Sequence, residues 1–409
     1  MAQVTKTPGH KEWRSSRLAE LGSPIFAEVA EWKQEAIASG LDVIDLGIGS
    51  PDQPPSPEVR QALSEAALRT DKYAYPGSRG SSAFRQTAAE WMAFRFGVQV
   101  DPELEMLSLM GSQDGLAHLA MAICNPGDVA LIPDPGYPIY AASLALAGVE
   151  PYLLPLTEGN GYLPDLAAVP DSVWQRAKFL LLNYPSNPLS ATADLPFFQS
   201  AVNLAREHGV LIVSDLAYSE MSFDGYEPPS ILSVPGAVDT AVEFHSLSKS
   251  FNMAGCRIGF LAGNRAAIAS LRELKASIDF GVFNAVQDAG VVALKEAMSS
   301  TERPKVGRLY EERRNIFVEA LRAEGWNVPL PKATMFIWAP LPPLQSKESR
   351  SWSSRQIARA ILAATGVVVI PGSAFGALGE GYVRIAMVEE AERLVEAAKR
   401  IGRWMRALH

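Results

Sequence analysis

The chain is expected to fold as an α/β protein, a mostly parallel sheet flanked by helices, with a smaller α+β domain beside it. Three observations carry that expectation. From about residue 105, short apolar runs alternate with amphipathic ones. Several short runs are apolar at every position, the pattern of strands covered on both faces. The last third instead mixes long charged helices with a few strands, and 409 residues is too much chain for one ordinary core.

The elements follow in order. "PDQPPSPEV" (51–59) is a proline-rich connector. "MLSLMG" is a strand, and "GLAHLAMAICN" is a helix closed by the turn "PGD". "VALIPDP" is strand-like, "YPIYAASLALAG" helical, and "KFLLLNYP" a strand. "LPFFQSAVNLAREHG" is a helix ending in glycine, and "VLIVSD", "AVEFHSLS" and "CRIGFLAG" are strands. Val306 to Gly325 has apolar residues at helical spacing, and "TMFIWAPL" and "GYVRIAMV" are strands. The final helix sets Leu394, Val395, Ala398, Ile401, Trp404, Met405 and Leu408 on one face. The expected division is an N-terminal segment (1–50) joining the small domain, a large domain (51–295) and a small C-terminal domain (296–409).

Composition narrows the function. The net charge of −8, with no dense run of Lys and Arg, argues against nucleic acid or an anionic membrane as partner. Two cysteines, Cys124 and Cys256, are too few for a disulfide framework, and the five histidines form no paired-ligand pattern, so no metal is expected. The N-terminus lacks an apolar signal region and no run is long enough to span a bilayer, which makes the cytoplasm the plain expectation.

Lys249, in "SLSKSFNMAGCRIG", follows a strand whose neighbours belong in a core. Taken singly, a lysine after a strand is a solvated loop residue. Partial burial and a nearby cation such as Arg257 would instead lower its pKa and free a neutral amine to attack a carbonyl. Ser246 and Ser248 add hydroxyl donors where an anion could lie. A lysine, two serines and an arginine on one loop suggest an aldehyde that carries a phosphate.

This stretch resembles the lysine motif of the class I/II aminotransferases, fold-type I pyridoxal-phosphate enzymes. The lysine, both serines, Gly255, Arg257 and Gly259 all match SxSKxxxxxGxRxG. The resemblance implies that Lys249 holds the cofactor covalently and that Arg257, Ser246 and Ser248 contact its phosphate. "VLIVSDLAY" puts Asp215 at a strand end, where a helix N-cap is the plainer role. The resemblance makes it the partner of the ring nitrogen, with Tyr218 and the Asn187 of "NYPSNPLSA" on the phenolic oxygen and Asn183 as a further contact. "GSQDGLAH" joins a strand to a helix, so its N–H groups form an anion site, and the resemblance implicates Ser112 and Gln113 in phosphate binding. Asp114 is the tension there, and is expected to point away from the anion or cap the helix.

In "PGYPIY", Tyr137 is either a core aromatic or, by the resemblance, the ring that stacks on the cofactor. Tyr75 of "YAYPGSRG", with Tyr73 as alternative, is implied to reach the phosphate of a neighbouring subunit, which would make the enzyme a homodimer with shared sites. Arg384 lies inside an apolar strand and needs an anionic partner. The resemblance supplies a substrate carboxylate, and a structural ion pair is the other reading. Gly49 belongs to a segment implied to close over the substrate.

The resemblance runs from about Leu18 to the end and is greatest to the branch of alanine and LL-diaminopimelate aminotransferases. Cys256 stands where Trp is common, and "NPLSA" replaces N-P-T-G. The expected reaction moves an amino group between an L-amino acid and a 2-oxo acid by ping-pong exchange. A C–S β-lyase or decarboxylase on the same scaffold is the alternative. A non-catalytic sensor domain fits less well, because too few residues precede the match for a DNA-binding unit.

Overall fold

The computed structural model describes residues 13, 15–19, 21, 25–300, 305–344 and 351–408. Among the described residues, twelve strands are formed: β1 (Ile44–Asp45), β2 (Met106–Leu109), β3 (Val129–Asp134), β4 (Glu150–Pro155), β5 (Ala177–Asn183), β6 (Leu211–Asp215), β7 (Ala241–Ser246), β8 (Gly259–Gly263), β9 (Phe336–Pro340), β10 (Val367–Val368), β11 (Ile370–Pro371) and β12 (Tyr382–Ala386). Seven of them make the central sheet, in the order β2-β8-β7-β6-β5-β3-β4. All of its pairings are parallel except the two made by β8, which runs antiparallel to both neighbours.

The side-chain period of two explains why these strands are largely apolar on both faces. Leu180, Leu182, Ile212, Phe260 and Ala262 face one layer, with Phe84, Trp91, Phe198, Val202 and Leu294 from helices Ser82–Phe96, Leu195–His208 and Asn284–Ser299. Phe179, Leu181, Val213, Phe244 and Leu261 face the other, against Leu116, Leu119, Leu144, Ile268 and Leu271 from helices Ser112–Ile123, Ile139–Ala147 and Arg265–Ile278. Each fully buried side chain of this kind contributes about 1.5–3 kcal/mol, so a polar residue on either face would be costly.

Local signals stop and start the helices where the sequence indicates. Asp194 caps Leu195–His208 by accepting from Phe197 N at 2.9 Å, and Gly209 ends that helix at φ +66°. The proline-rich connector is shorter than expected, because Ser56 caps a helix beginning at Pro57. "CRIGFLAG" also needs correction. Only Gly259–Gly263 is strand, since Cys256 and Arg257 belong to a turn in which Arg257 is left-handed at φ +51°. Strand β4 escaped the sequence reading: Pro151 and Pro155 sit in it, tolerated because it is the sheet's edge.

A second core gathers Phe317, Leu321, Phe336, Ile337, Ile357, Ile361, Ile385, Leu394 and Ile401 around the antiparallel sheet β11-β12-β9. On the final helix Leu394, Ala398, Ile401 and Met405 are buried, while Val395, Trp404 and Leu408 are half-buried at its margin. The N-terminal segment packs here too. β1 pairs with β10, and helix Ile25–Ala38 places Ile25 and Val29 near Trp338, Leu362 and Phe375. Residue 50 falls in the loop after β1, and residue 295 falls within helix Asn284–Ser299. Among the described residues, no helix is long and apolar enough to cross a membrane, and no cluster of His, Cys, Asp or Glu could hold a metal ion.

Candidate active site

Sheet register brings the chemistry-bearing residues together. Asn183 and Asp215 are Cα partners at the carboxyl ends of β5 and β6, and Asp215 pairs in turn with Phe244 of β7. Ser246 at the end of β7 pairs with Gly259 at the start of β8, and Leu109 at the end of β2 pairs with the same glycine. The reversed β8 therefore returns the chain to the edge where β7 left it, which sets Arg257 beside Lys249. Outside that edge lies a cavity of about 270 Å³. Gly49, Ser112, Gln113, Tyr137, Asn183, Asn187, Asp215, Tyr218, Ser246, Ser248, Lys249, Arg257 and Arg384 all line it. Of the site residues expected from sequence, only Tyr75 lies elsewhere: it is 88 % exposed, with its ring 5.5 Å from Phe280.

Lys249 lies within the short helix Leu247–Ser250, and its amine donates to the Gly49 carbonyl. Burial, then the charges of Arg384 and Arg257, lower its pKa to about 8. Arg257 Nη1 donates to Ala254 O at 3.1 Å and to Ser248 Oγ at 3.4 Å, which holds its left-handed backbone in place. Gly111 makes room for it, and Gly259 lets the backbones beside it come close. A Cβ on Gly111, itself at φ +77°, would lie 2.5 Å from Arg257 Nη2, and one on Gly259 would lie 2.6 Å from the His245 carbonyl.

Asp215 is buried, and Tyr140 donates to its Oδ2 at 2.7 Å while Oδ1 has no partner. Burial raises its pKa to about 6, against the lowering effect of the Tyr140 hydroxyl. Asn183 braces the same region through backbone groups, donating to Asp215 O at 2.8 Å and accepting from Asn187 N at 2.8 Å. Tyr137 donates to Gln113 Oε1 at 3.1 Å and packs edge-on to Tyr140.

Arg384 is buried between the rings of Phe336 and Phe375, 4.3 and 4.7 Å from their centroids. It donates to Asn187 Oδ1 at 3.0 Å and Gly47 O at 2.7 Å, while its Nε is buried without a partner. Burial lowers its pKa to about 10, and among the described residues no carboxylate pairs with it. A buried guanidinium without a counter-ion is a receptor for an anion.

The residues present fit pyridoxal phosphate. The free oxygen of Asp215 suits a protonated ring nitrogen, whose charge would return the carboxyl to its ionised form. The first-turn N–H groups of helix Ser112–Ile123, with Arg257, suit a phosphate. Asp114 is turned aside, as the sequence required: its oxygens meet Met110 N, His118 and Lys275. Sequence reasoning missed Tyr140, Phe26, Ile48 and Phe336, which also line the cavity. Only Tyr140 left a signal, three residues after Tyr137 in the run read as helical, although the helix begins at Ile139 and Tyr137 precedes it.

The sequence profile described as "Aminotransferase class I and II" matches residues 41–401. A curated LL-diaminopimelate aminotransferase from Moorella thermoacetica is 43% identical over 387 residues, 95% of this chain and 97% of that protein. A second, from Desulforudis audaxviator, is 44% identical over 387 residues, covering 95% and 96%. A solved structure of a probable N-succinyldiaminopimelate aminotransferase from Thermus thermophilus superposes with a TM-score of 0.84 at 40% identity, over 93% of this chain and 99% of that one.

Proposed function

The chain belongs to the class I and II aminotransferase family, and from that premise we propose that its amino donor is LL-diaminopimelate, taken up in a site that two copies of the chain share. The protein is a pyridoxal-phosphate-dependent aminotransferase with the fold-type I architecture, passing an amino group from an L-amino acid to a 2-oxo acid in two half-reactions. Bound cofactor supplies a carbonyl that takes up the amino group and a ring that draws electrons from the substrate α-carbon.

Each side chain then has an assigned task. Arg384 orients the substrate α-carboxylate by a two-pronged contact. Lys249, neutral above about pH 8, takes and returns the α-proton. Asp215 would face the ring nitrogen of the bound cofactor, Tyr218 and Asn187 its phenolic oxygen, and Tyr137 would cover the ring. Ser112, Gln113, Ser246, Ser248 and Arg257 receive the phosphate, and Gly49 closes the segment above the amine. Two domains, divided near residues 50 and 295, supply these groups from both sides.

The observation that carries the substrate is the 43–44% identity, over 95% of the chain, to proteins bearing that name. Tyr75, Tyr73, Leu68 and Phe280 are exposed together with Phe283, an apolar surface that supports a homodimer. Unbridged Cys124 and Cys256 support a cytoplasmic location. Purified holoenzyme should convert LL-diaminopimelate with 2-oxoglutarate at a kcat/KM at least about tenfold above that for alanine or N-succinyl-LL-diaminopimelate. Equal or better turnover of either competitor would overturn the assignment.

A further inference from the structure

Lys275 ends in an ammonium group that is wholly buried. It lies in the last turn of helix Arg265–Ile278, outside the cavity, and pairs with two nearly covered carboxylates, Asp114 and Asp279. Asp114 sits in the first turn of helix Ser112–Ile123, next to the N–H groups that face the cavity. A carboxylate at that point competes with any anion for the helix's positive end.

Its oxygens are nonetheless engaged elsewhere. Oδ2 accepts from Lys275 and from Met110 N at 3.0 Å, and Oδ1 meets His118 Nδ1 at 2.9 Å. Asp114 thereby shapes the turn before Gly111 but brings a negative charge to the loop, and Lys275 is the cation that offsets it. The lysine is anchored from its other side, because Asp279 also accepts from Gly281 N at 2.8 Å. An apolar side chain would fill the same volume without the solvation cost of a buried charge. The charge itself is therefore what the position supplies.

We propose that Lys275 is a positioning residue for the phosphate loop: it holds the Asp114 carboxylate away from the anion site, so that the loop's N–H groups meet a phosphate unopposed. This rests on the reading of Ser112, Gln113 and Arg257 as the phosphate receptor.

The test compares the affinity of cofactor-free enzyme for pyridoxal phosphate and for pyridoxal, which lacks the phosphate. Lys275→Met should weaken pyridoxal phosphate at least about tenfold and pyridoxal less than about threefold. Adding Asp114→Asn should restore pyridoxal phosphate binding to within about threefold of the parent. Equal losses for both ligands, or no recovery in the double variant, would overturn the proposal. Should Lys275→Met not fold, Asp114→Asn alone decides: it must bind pyridoxal phosphate at least as tightly as the parent, and weaker binding rejects the idea. Arg257→Ala separates the two claims. If it keeps the preference for the phosphorylated ligand, the receptor reading falls and takes this proposal with it. If Arg257→Ala loses the preference while Lys275→Met retains it, only the role of Lys275 is wrong.

Discussion

Three side chains divide the chemistry, and each can be tested alone. On the proposed mechanism Lys249 reacts as the free amine, and its pKa of about 8 leaves it mostly protonated at neutral pH. The rate at which cofactor-free enzyme captures pyridoxal phosphate should therefore climb about tenfold per pH unit well below that value and level off above it. A bend near the ordinary lysine range would show that burial does not act on this amine, and Lys249→Ala should form no borohydride-reducible adduct in the cavity. Arg384→Lys should lower kcat/KM for amino and oxo acids about ten- to a hundredfold, mainly through KM. One charge-assisted bond of about 1.5–3 kcal/mol is lost with the fork. Unchanged KM would discard its carboxylate role. Tyr140→Phe removes a donor that favours ionised Asp215, so the acid limb of the kcat profile should move to higher pH. A limb that stays put would mean that Asp215 is held by other groups. The sequence made Lys249 and Arg384 stand out because such residue types are out of place beside or within apolar runs, whereas Asp215, at a strand end, took its role from the family resemblance. Tyr140 was hidden because a tyrosine in such a helix looks like any core aromatic.

Elements were legible to the extent that one local rule governed them. Strands β5 and β6 are buried on both faces and carry the apolar runs Phe179–Leu182 and Leu211–Val213, so they stood out, and β7 is buried as fully although Glu243 and His245 interrupt it. β4 did not, because an edge strand half open to solvent and interrupted by prolines carries no period. The misjudged start of β8 has a different cause. Cys256, Arg257 and Ile258 look like strand, yet Arg257 must turn back toward Ser248, and that tertiary demand overrides local preference. Gly111 illustrates the same demand from the other side. Gly111→Ala puts a Cβ into Arg257 and forces alanine into a left-handed backbone, at a cost of about 1–3 kcal/mol. Cofactor affinity and the thermal midpoint should both fall. A variant that lost stability but kept full affinity would separate the turn from the anion site.

At the scale of the molecule, Tyr75 stands on the surface near exposed Tyr73 and away from the cavity, so the proposed shared site would have to take it from a second copy of the chain. Sequence alone named both tyrosines but could not say where they point, since a lone chain contains no record of its partner. Mixing inactive Lys249→Ala with inactive Tyr75→Ala subunits should recover about a quarter of wild-type activity, because each hybrid dimer has one intact site. No recovery would mean that Tyr75 serves its own subunit or none. The reversed strand β8 has a last consequence. Lys249 and Arg257 stand at the two ends of one short excursion from the sheet, and on the proposed assignment a single small molecule would grip both. The coenzyme is thus a buckle as well as a reagent. Its removal should leave most of the protein untouched and let residues 247–258 exchange their amide hydrogens far faster, a local loosening that reloading would reverse.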